Sequence, residues 1–208
     1  MSKTEPKQSP EQMRIAHNAV MAANAFHNHV LTVLRDEGPD GFRHYRCGTP
    51  DGSVVCRFDV ILWPGRMLVV GDMGECLWER TYDMLEWARS AVNSIDYFAE
   101  KVPHSIPTEE FDPDVARRAV EDLLADRISD MEDADADEAD DDSEIQDELR
   151  EILDGEIECR DLFYQRLYDS GAIDGCSMPS AMNFNHNFLW CRQCVIWLLA
   201  HLPSAPSP

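Results

Sequence analysis

Two carboxylates, Asp59 and Asp72, and two guanidinium groups, Arg57 and Arg80, fall within the stretch 57–80. Paired carboxylates can hold a divalent cation through oxygen or share acid and base work, and guanidinium groups bind phosphate in a fork. The set is a candidate ligand site provided that its strands present all four on one face. Strand-surface carboxylates paired with Arg57, Arg66 or Arg80 account for the same residues without a ligand. Within this stretch Gly71-Asp72-Met73-Gly74 has the glycines of a phosphate cradle. No lysine follows it and its spacing is neither Walker nor dinucleotide type, so a hairpin turn is expected there.

Cys191-x-x-Cys194 with His186 and His201 offers thiolate and imidazole ligands of the kind zinc prefers. The two cysteines sit in an apolar helix and lack a second pair, so packing is the expected role, and neither a metal nor another cofactor is expected. Cys159 and Cys176 complete a site only by tertiary accident. His27 and His29, two apart on a helix, point about 200° apart and cannot chelate one ion. His27 falls in an apolar stripe and is expected to be a satisfied core histidine.

The strongest compositional feature is acidic. Of the nineteen residues 130–148, 12 are Asp or Glu and none is Lys or Arg, which carries −12 of the chain's formal −22. Such runs self-repel and bury little. They also imitate a duplex, which carries about one charge per 1.7 Å of axis, and so fit a basic nucleic-acid channel. The candidate partner-binding residues are Asp135, Asp137, Glu138, Asp140, Asp141, Asp142 and Glu144.

The whole-chain charge, with a pI near 4.4, argues against direct nucleic-acid binding and against anionic membranes. Seven cysteines without regular spacing, and a start (MSKTEPKQSPEQ) without an apolar run, lead to the expectation of a reducing cytoplasm, that of a host cell. No window reaches the roughly 18 uninterrupted apolar residues of a membrane span. The closest, 188–202, is broken by Arg192, Gln193 and His201.

The elements that would position these groups are organised around 53–80. Apolar residues at 54, 56, 58, 60 and 62 fill one face of a strand, and turns follow at Pro64-Gly65 and Gly71–Gly74. With a short strand over 42–47, this predicts a four-stranded antiparallel meander. A helix from Pro10 to about Arg35 places Met13, Ala16, Val20, Ala23, His27, Val30 and Leu34 in its buried stripe. Asp83 begins a helix to about Ala99, Asp112-Pro113 begins another, and helical pattern recurs over 145–153, 157–168 and 183–201. The expected fold class is α+β, with helices mainly on one face of the sheet. The expected divisions are a flexible N-terminus (1–9), an α+β core (10–128), an acidic helical insertion (129–148), C-terminal helices completing the core (149–202) and a flexible tail (203–208).

Phe58-Asp59, Trp63-Pro64-Gly65, Gly71-Asp72-Met73-Gly74, Arg80, Asp83-Met84, Trp190-Cys191 and Ile196-Trp197 together resemble an uncharacterised group of phage- and prophage-encoded proteins. The match covers about 42–100 and 184–200. It implies viral origin and no defined chemistry. Joined to the charge, it leads to the expectation of a non-enzymatic phage accessory protein that binds and inhibits a basic host protein. An anti-defence inhibitor that mimics nucleic acid, in the manner of an anti-CRISPR, is the expected form, with a nucleic-acid-binding complex as its target. Two other readings stay open: a small nucleotide- or metal-binding enzyme using the 57–80 hairpin, and a non-inhibitory interaction or assembly module anchored by Trp63 or Trp78. The sequence does not set the oligomeric state.

Overall fold

The computed structural model describes residues 8–80, 83–131, 139–173 and 178–203. Their contacts divide the chain into unit 1, Met1–Glu109 with Phe184–Pro208, and unit 2, Glu110–Asn183. The class is α+β.

Unit 1 begins with α1 (Pro10–Phe26), where Ser9 and Gln12 form a reciprocal capping box and Pro10 takes the first turn. The helix ends there rather than at Arg35. Val30–Asp36 is strand β1, followed by β2 (Arg43–Gly48), β3 (Phe58–Trp63), β4 (Arg66–Gly71) and β5 (Gly74–Glu79). The sheet therefore has five strands, not four, in the sequential antiparallel order β1-β2-β3-β4-β5. The run Val30-Leu31-Thr32-Val33, β-branched at three of its four positions, suits a strand better than a helix, and tertiary pairing with β2 decides it. The expected stripe on α1 shifts with it. Asn18, Ala22 and Phe26 are buried, whereas Met13 and Val20 are exposed.

The alternation expected from residue 54 holds from Phe58 onward. Before it the chain turns, Cys56 takes a left-handed φ of 54°, and Val54 and Val55 point to solvent. Phe58, Val60 and Leu62 then join Tyr45 and Cys47, Met67 and Val69, and Cys76 and Trp78 on one buried face. Covering this face are α1, α2 (Met84–Ala91), α3 (Ile95–Ala99) and α7 (His186–His201). The helix expected over 83–99 is thus two, each ending in its own cap, with Asp83 accepting from Leu85 N at α2. On the opposite face His44, Arg46, Asp59, Ile61, Trp63, Leu68, Val70 and Leu77 are half-buried and belong to neither core. Trp78 is fully buried rather than an exposed anchor. Its Nε1 donates to Phe98 O at 3.0 Å.

Unit 2 contains α4 (Pro113–Met131), α5 (Ala139–Asp154) and α6 (Arg160–Asp169). Ala116, Val120, Leu149, Ile152, Phe163 and Leu167 are buried in a core separate from that of the sheet. These helices do not complete the sheet's core as expected from 149–202; α7 alone among them returns to it. Short strands β6 (Glu109–Phe111) and β7 (Met182–Phe184) pair with each other where the chain leaves and re-enters unit 1.

Candidate functional site

At one end of the β3–β4 hairpin, Arg57, Asp59 and Asp72 line a shallow cleft of about 400 Å³ with Val54, Phe58, Val70 and Gly71. Arg80 is not with them. Its backbone N donates to Gly65 O at 2.7 Å, at the far end of the same hairpin, and its guanidinium donates to the Tyr97 hydroxyl at 2.8 Å. Three of the four expected residues share a site and the fourth does not.

The two carboxylates are engaged by the protein itself. Register places Asp59 opposite Arg46, whose Nε and terminal nitrogen donate to Oδ1 at 2.9 Å and Oδ2 at 2.8 Å. His44 Nε2 donates to Oδ2 at 2.8 Å. Burial alone would raise the Asp59 carboxyl, but the hydrogen bonds from Arg46 and His44 outweigh it and hold it below the ordinary carboxylate range. Its partners are thus not Arg57, Arg66 or Arg80; Arg66 pairs with Glu79 at 2.8 Å. Asp72 Oδ2 accepts from Cys56 N, and Asp72 N donates to Arg57 O, both at 3.0 Å. That pins the loop before β3 to the β4–β5 turn, which is what Gly71–Gly74 forms. With both oxygens hydrogen-bonded, Asp59 is a poor general base.

The α7 cysteines are fully buried, and burial pushes both thiols well up. Cys47 and Cys76 lie in the same core, the latter raised to about 12 by burial. His186 and His201 sit at the two ends of α7, some 22 Å apart at 1.5 Å per residue. His186 meets Asn18 at 3.0 Å and His201 stacks on Trp197. Among the described residues no three of His, Cys, Asp or Glu gather so as to hold a metal ion. His27 is exposed, contrary to expectation. His29 is the buried one, 8 % exposed, with Nε2 on Cys56 O at 3.0 Å and the Phe26, Phe58 and Trp197 rings around it.

Charge is distributed very unequally. Residues 110–183 hold 25 Asp or Glu against 6 Arg, a formal −19, which leaves −3 of the chain's −22 to unit 1. Asp135, Asp137 and Glu138 lie outside the described residues. Asp140, Asp141 and Asp142 fall in the first turns of α5, where acidic residues favour the helix dipole, and Glu144 is exposed in the next. Glu144, Glu148 and Glu151 recur at four- and three-residue steps, one exposed stripe with a carboxylate about every 5.4 Å turn. Inward-facing Leu149 and Ile152 anchor that stripe to the unit 2 core. Arg117 of α4 donates to Leu153 O and, at 3.3 Å, to Gly155 O, serving the C-terminal carbonyls of a helix without a basic residue in its last turn.

Beside the stripe a cleft of about 530 Å³ is lined by Glu148, Glu151, Asp154 and Asp169, with Ile152, Gly155 and Arg166. Four carboxylates against one guanidinium suit a cationic side chain. None of these four carboxylates was among the expected residues. The three-residue steps from Glu148 through Asp154 were readable as one helix face, but Asp169 arrives by the return of α6 and leaves no local signal. No helix among the described residues is long and apolar enough to cross a membrane.

No protein-family model matches the chain, and no curated protein or solved structure does either.

Proposed function

We propose that this chain is a non-enzymatic binding protein whose acidic helical unit occupies a basic protein surface. The observation that carries it is the partition of charge: −19 on a 74-residue unit with its own buried core, against −3 on the rest. Acidic runs that merely solvate bury little, whereas here α5 carries Glu144, Glu148 and Glu151 on one face and Leu149 and Ile152 on the other. A rigid array of carboxylates has less ordering entropy to lose on binding than a coil. The partner class is a basic protein, and a nucleic-acid-handling complex is the kind whose channel is already shaped for spaced negative charge. Inhibition follows from competition with the nucleic acid. A phage accessory protein of the anti-defence kind, acting in a host cytoplasm, is the setting that the motif resemblance adds to this charge argument.

The test is capture of partners from a bacterial lysate on the immobilised chain at low and at high salt. A variant with Asp140, Asp141, Asp142 and Glu144 changed to Asn or Gln runs beside it. Expected are captured nucleic-acid-binding proteins at low salt, their release at high salt, competition by added duplex DNA, and loss of capture in the variant. Capture that persists unchanged at high salt, or in the variant, overturns the reading.

A further inference from the structure

The two edges of the sheet are treated differently. On β5 the outward backbone is taken by the chain itself: Asn187 bonds both Glu75 N and Glu75 O, and Glu79 N donates to Lys101 O. On β1 none of the described residues hydrogen-bonds to the outer side. Six of its seven residues are exposed, among them Val30 at 46 %, Val33 at 55 % and Leu34 at 45 %. Natural sheets blunt an open edge with charge, proline, a bulge or a cover. Here the stretch Val30-Leu31-Thr32-Val33-Leu34 has neither charge nor proline. The register shift between Val33 and Arg35 falls on Leu34, the last residue of the stretch, which has no partner on β2, so the regular edge is Val30–Val33.

We propose that β1 is a docking edge for a second copy of this chain, pairing antiparallel with its own counterpart about a two-fold axis through Thr32. The argument is the symmetry of the strand. Opposed in that register, Val30 meets Leu34, Leu31 meets Val33 and Thr32 meets Thr32, so every contact is apolar except a central hydroxyl pair. Faces also match. Leu31 and Val33 stand opposite Cys47 and Tyr45, on the helix-bearing side, while Val30 and Thr32 stand opposite Gly48 and Arg46, on the open side. Arg35 and Asp36 fall beyond the paired five and meet no like charge. Electrostatics permit it, because the edge belongs to the unit that carries −3 rather than −19. The product is a continuous ten-stranded sheet. This inference is independent of the proposed function, since β1 takes no part in the acidic surface.

Sedimentation velocity on the full chain, from about 1 to 200 μM, reads the equilibrium. Expected is a monomer–dimer transition that strengthens from about 0.05 to 0.5 M salt, as screening relieves repulsion between two chains of −22 each. That is the opposite sign to the salt dependence of binding a basic partner. Thr32→Glu faces Arg46 favourably within its own chain but opposes itself across the axis, and is expected to weaken the dimer about tenfold or more. Val20→Glu, the same charge change on an exposed position of α1, leaves it unchanged. Backbone amide exchange of residues 30–34 in the unaltered chain slows as concentration rises. A chain monomeric throughout, a dimer indifferent to Thr32→Glu, or exchange at 30–34 independent of concentration overturns the proposal.

Discussion

The side-chain amide of Asn187 lies along the backbone of Glu75 as a neighbouring strand would, accepting from Glu75 N at 3.1 Å and donating to Glu75 O at 2.9 Å. Through this pair α7 closes the β5 edge. The fit depends on Gly74, whose φ is +133° and where a Cβ would stand 1.9 Å from Asn187 Oδ1. Gly74→Ala is expected to cost about 1–3 kcal/mol through strain and displacement of the amide. Asn187→Ala costs about 1–2 kcal/mol through two lost hydrogen bonds. Because both act on one contact, the double variant should lose less than the sum. Urea unfolding of the four proteins checks this, and strict additivity would separate the two residues.

Asp59 gives the fold an acid limit. Its carboxyl is held below the ordinary value of 3.8 in the folded chain, so its contribution is fully present above that value and is lost as pH falls through the lower, folded one. Asp59→Asn should cost about 1–2 kcal/mol near neutrality by breaking charge-assisted bonds to Arg46 and His44. The gap between the two proteins should close below about pH 4. Denaturation midpoints at pH 7, 4 and 3 read it, and a gap that stays constant refutes the pairing.

Tyr45 sets a limit at the other end. It is 1 % exposed and its hydroxyl donates to Asp36 Oδ2 at 2.8 Å. Burial, reinforced by that carboxylate, pushes its hydroxyl up to about 12 from 10.0. A raised folded value means stability fully present below pH 10 and lost as pH rises towards 12, up to about 2–3 kcal/mol. Ultraviolet titration should show one tyrosine ionising last, and Tyr45→Phe should remove that step together with part of the alkaline slope of stability.

Much of the sheet was readable because Phe58, Val60 and Leu62 alternate, and Pro64-Gly65 and Gly71–Gly74 carry turn chemistry. The edge strand was not. Val30 and Leu34 continue the three- and four-residue spacing of α1, and a strand exposed on both faces shows no alternation to contradict a helix. The same blindness extended the next strand back through Val54 and Cys56, since a period of two cannot register the left-handed backbone at Cys56. His27 and His29 exchanged roles once the helix stopped at Phe26. At the hairpin, Asp59 was recognisable as a charged strand residue, but its partners His44 and Arg46 come from the neighbouring strand by register. In unit 2 the charge was plain, while its separate core was hidden. Leu149, Ile152, Phe163 and Leu167 read as continuations of one core until their contacts are known.

The acidic unit should be removable without unfolding the sheet. Its entry and exit lie side by side, with Asp112 N donating to Ala181 O at 3.0 Å and Asn183 Nδ2 donating to Asp112 Oδ2 at 2.8 Å. Its buried residues form a core distinct from that of unit 1. Replacing 113–180 by a short Gly-Ser linker therefore closes a gap already bridged by hydrogen bonds, and a shorter loop costs less closure entropy than the segment it replaces. The sheet keeps Trp78 and its Phe98 partner, so tryptophan fluorescence and cooperative unfolding should survive the replacement. Salt-sensitive capture of basic proteins should vanish, because the shortened chain, which keeps Glu110 and Asp112, carries only −5. A shortened chain that is folded and still captures those proteins would move the binding surface to the open face of the sheet around Ile61, Trp63, Leu68 and Leu77. One that fails to unfold cooperatively would show that the two cores are energetically one.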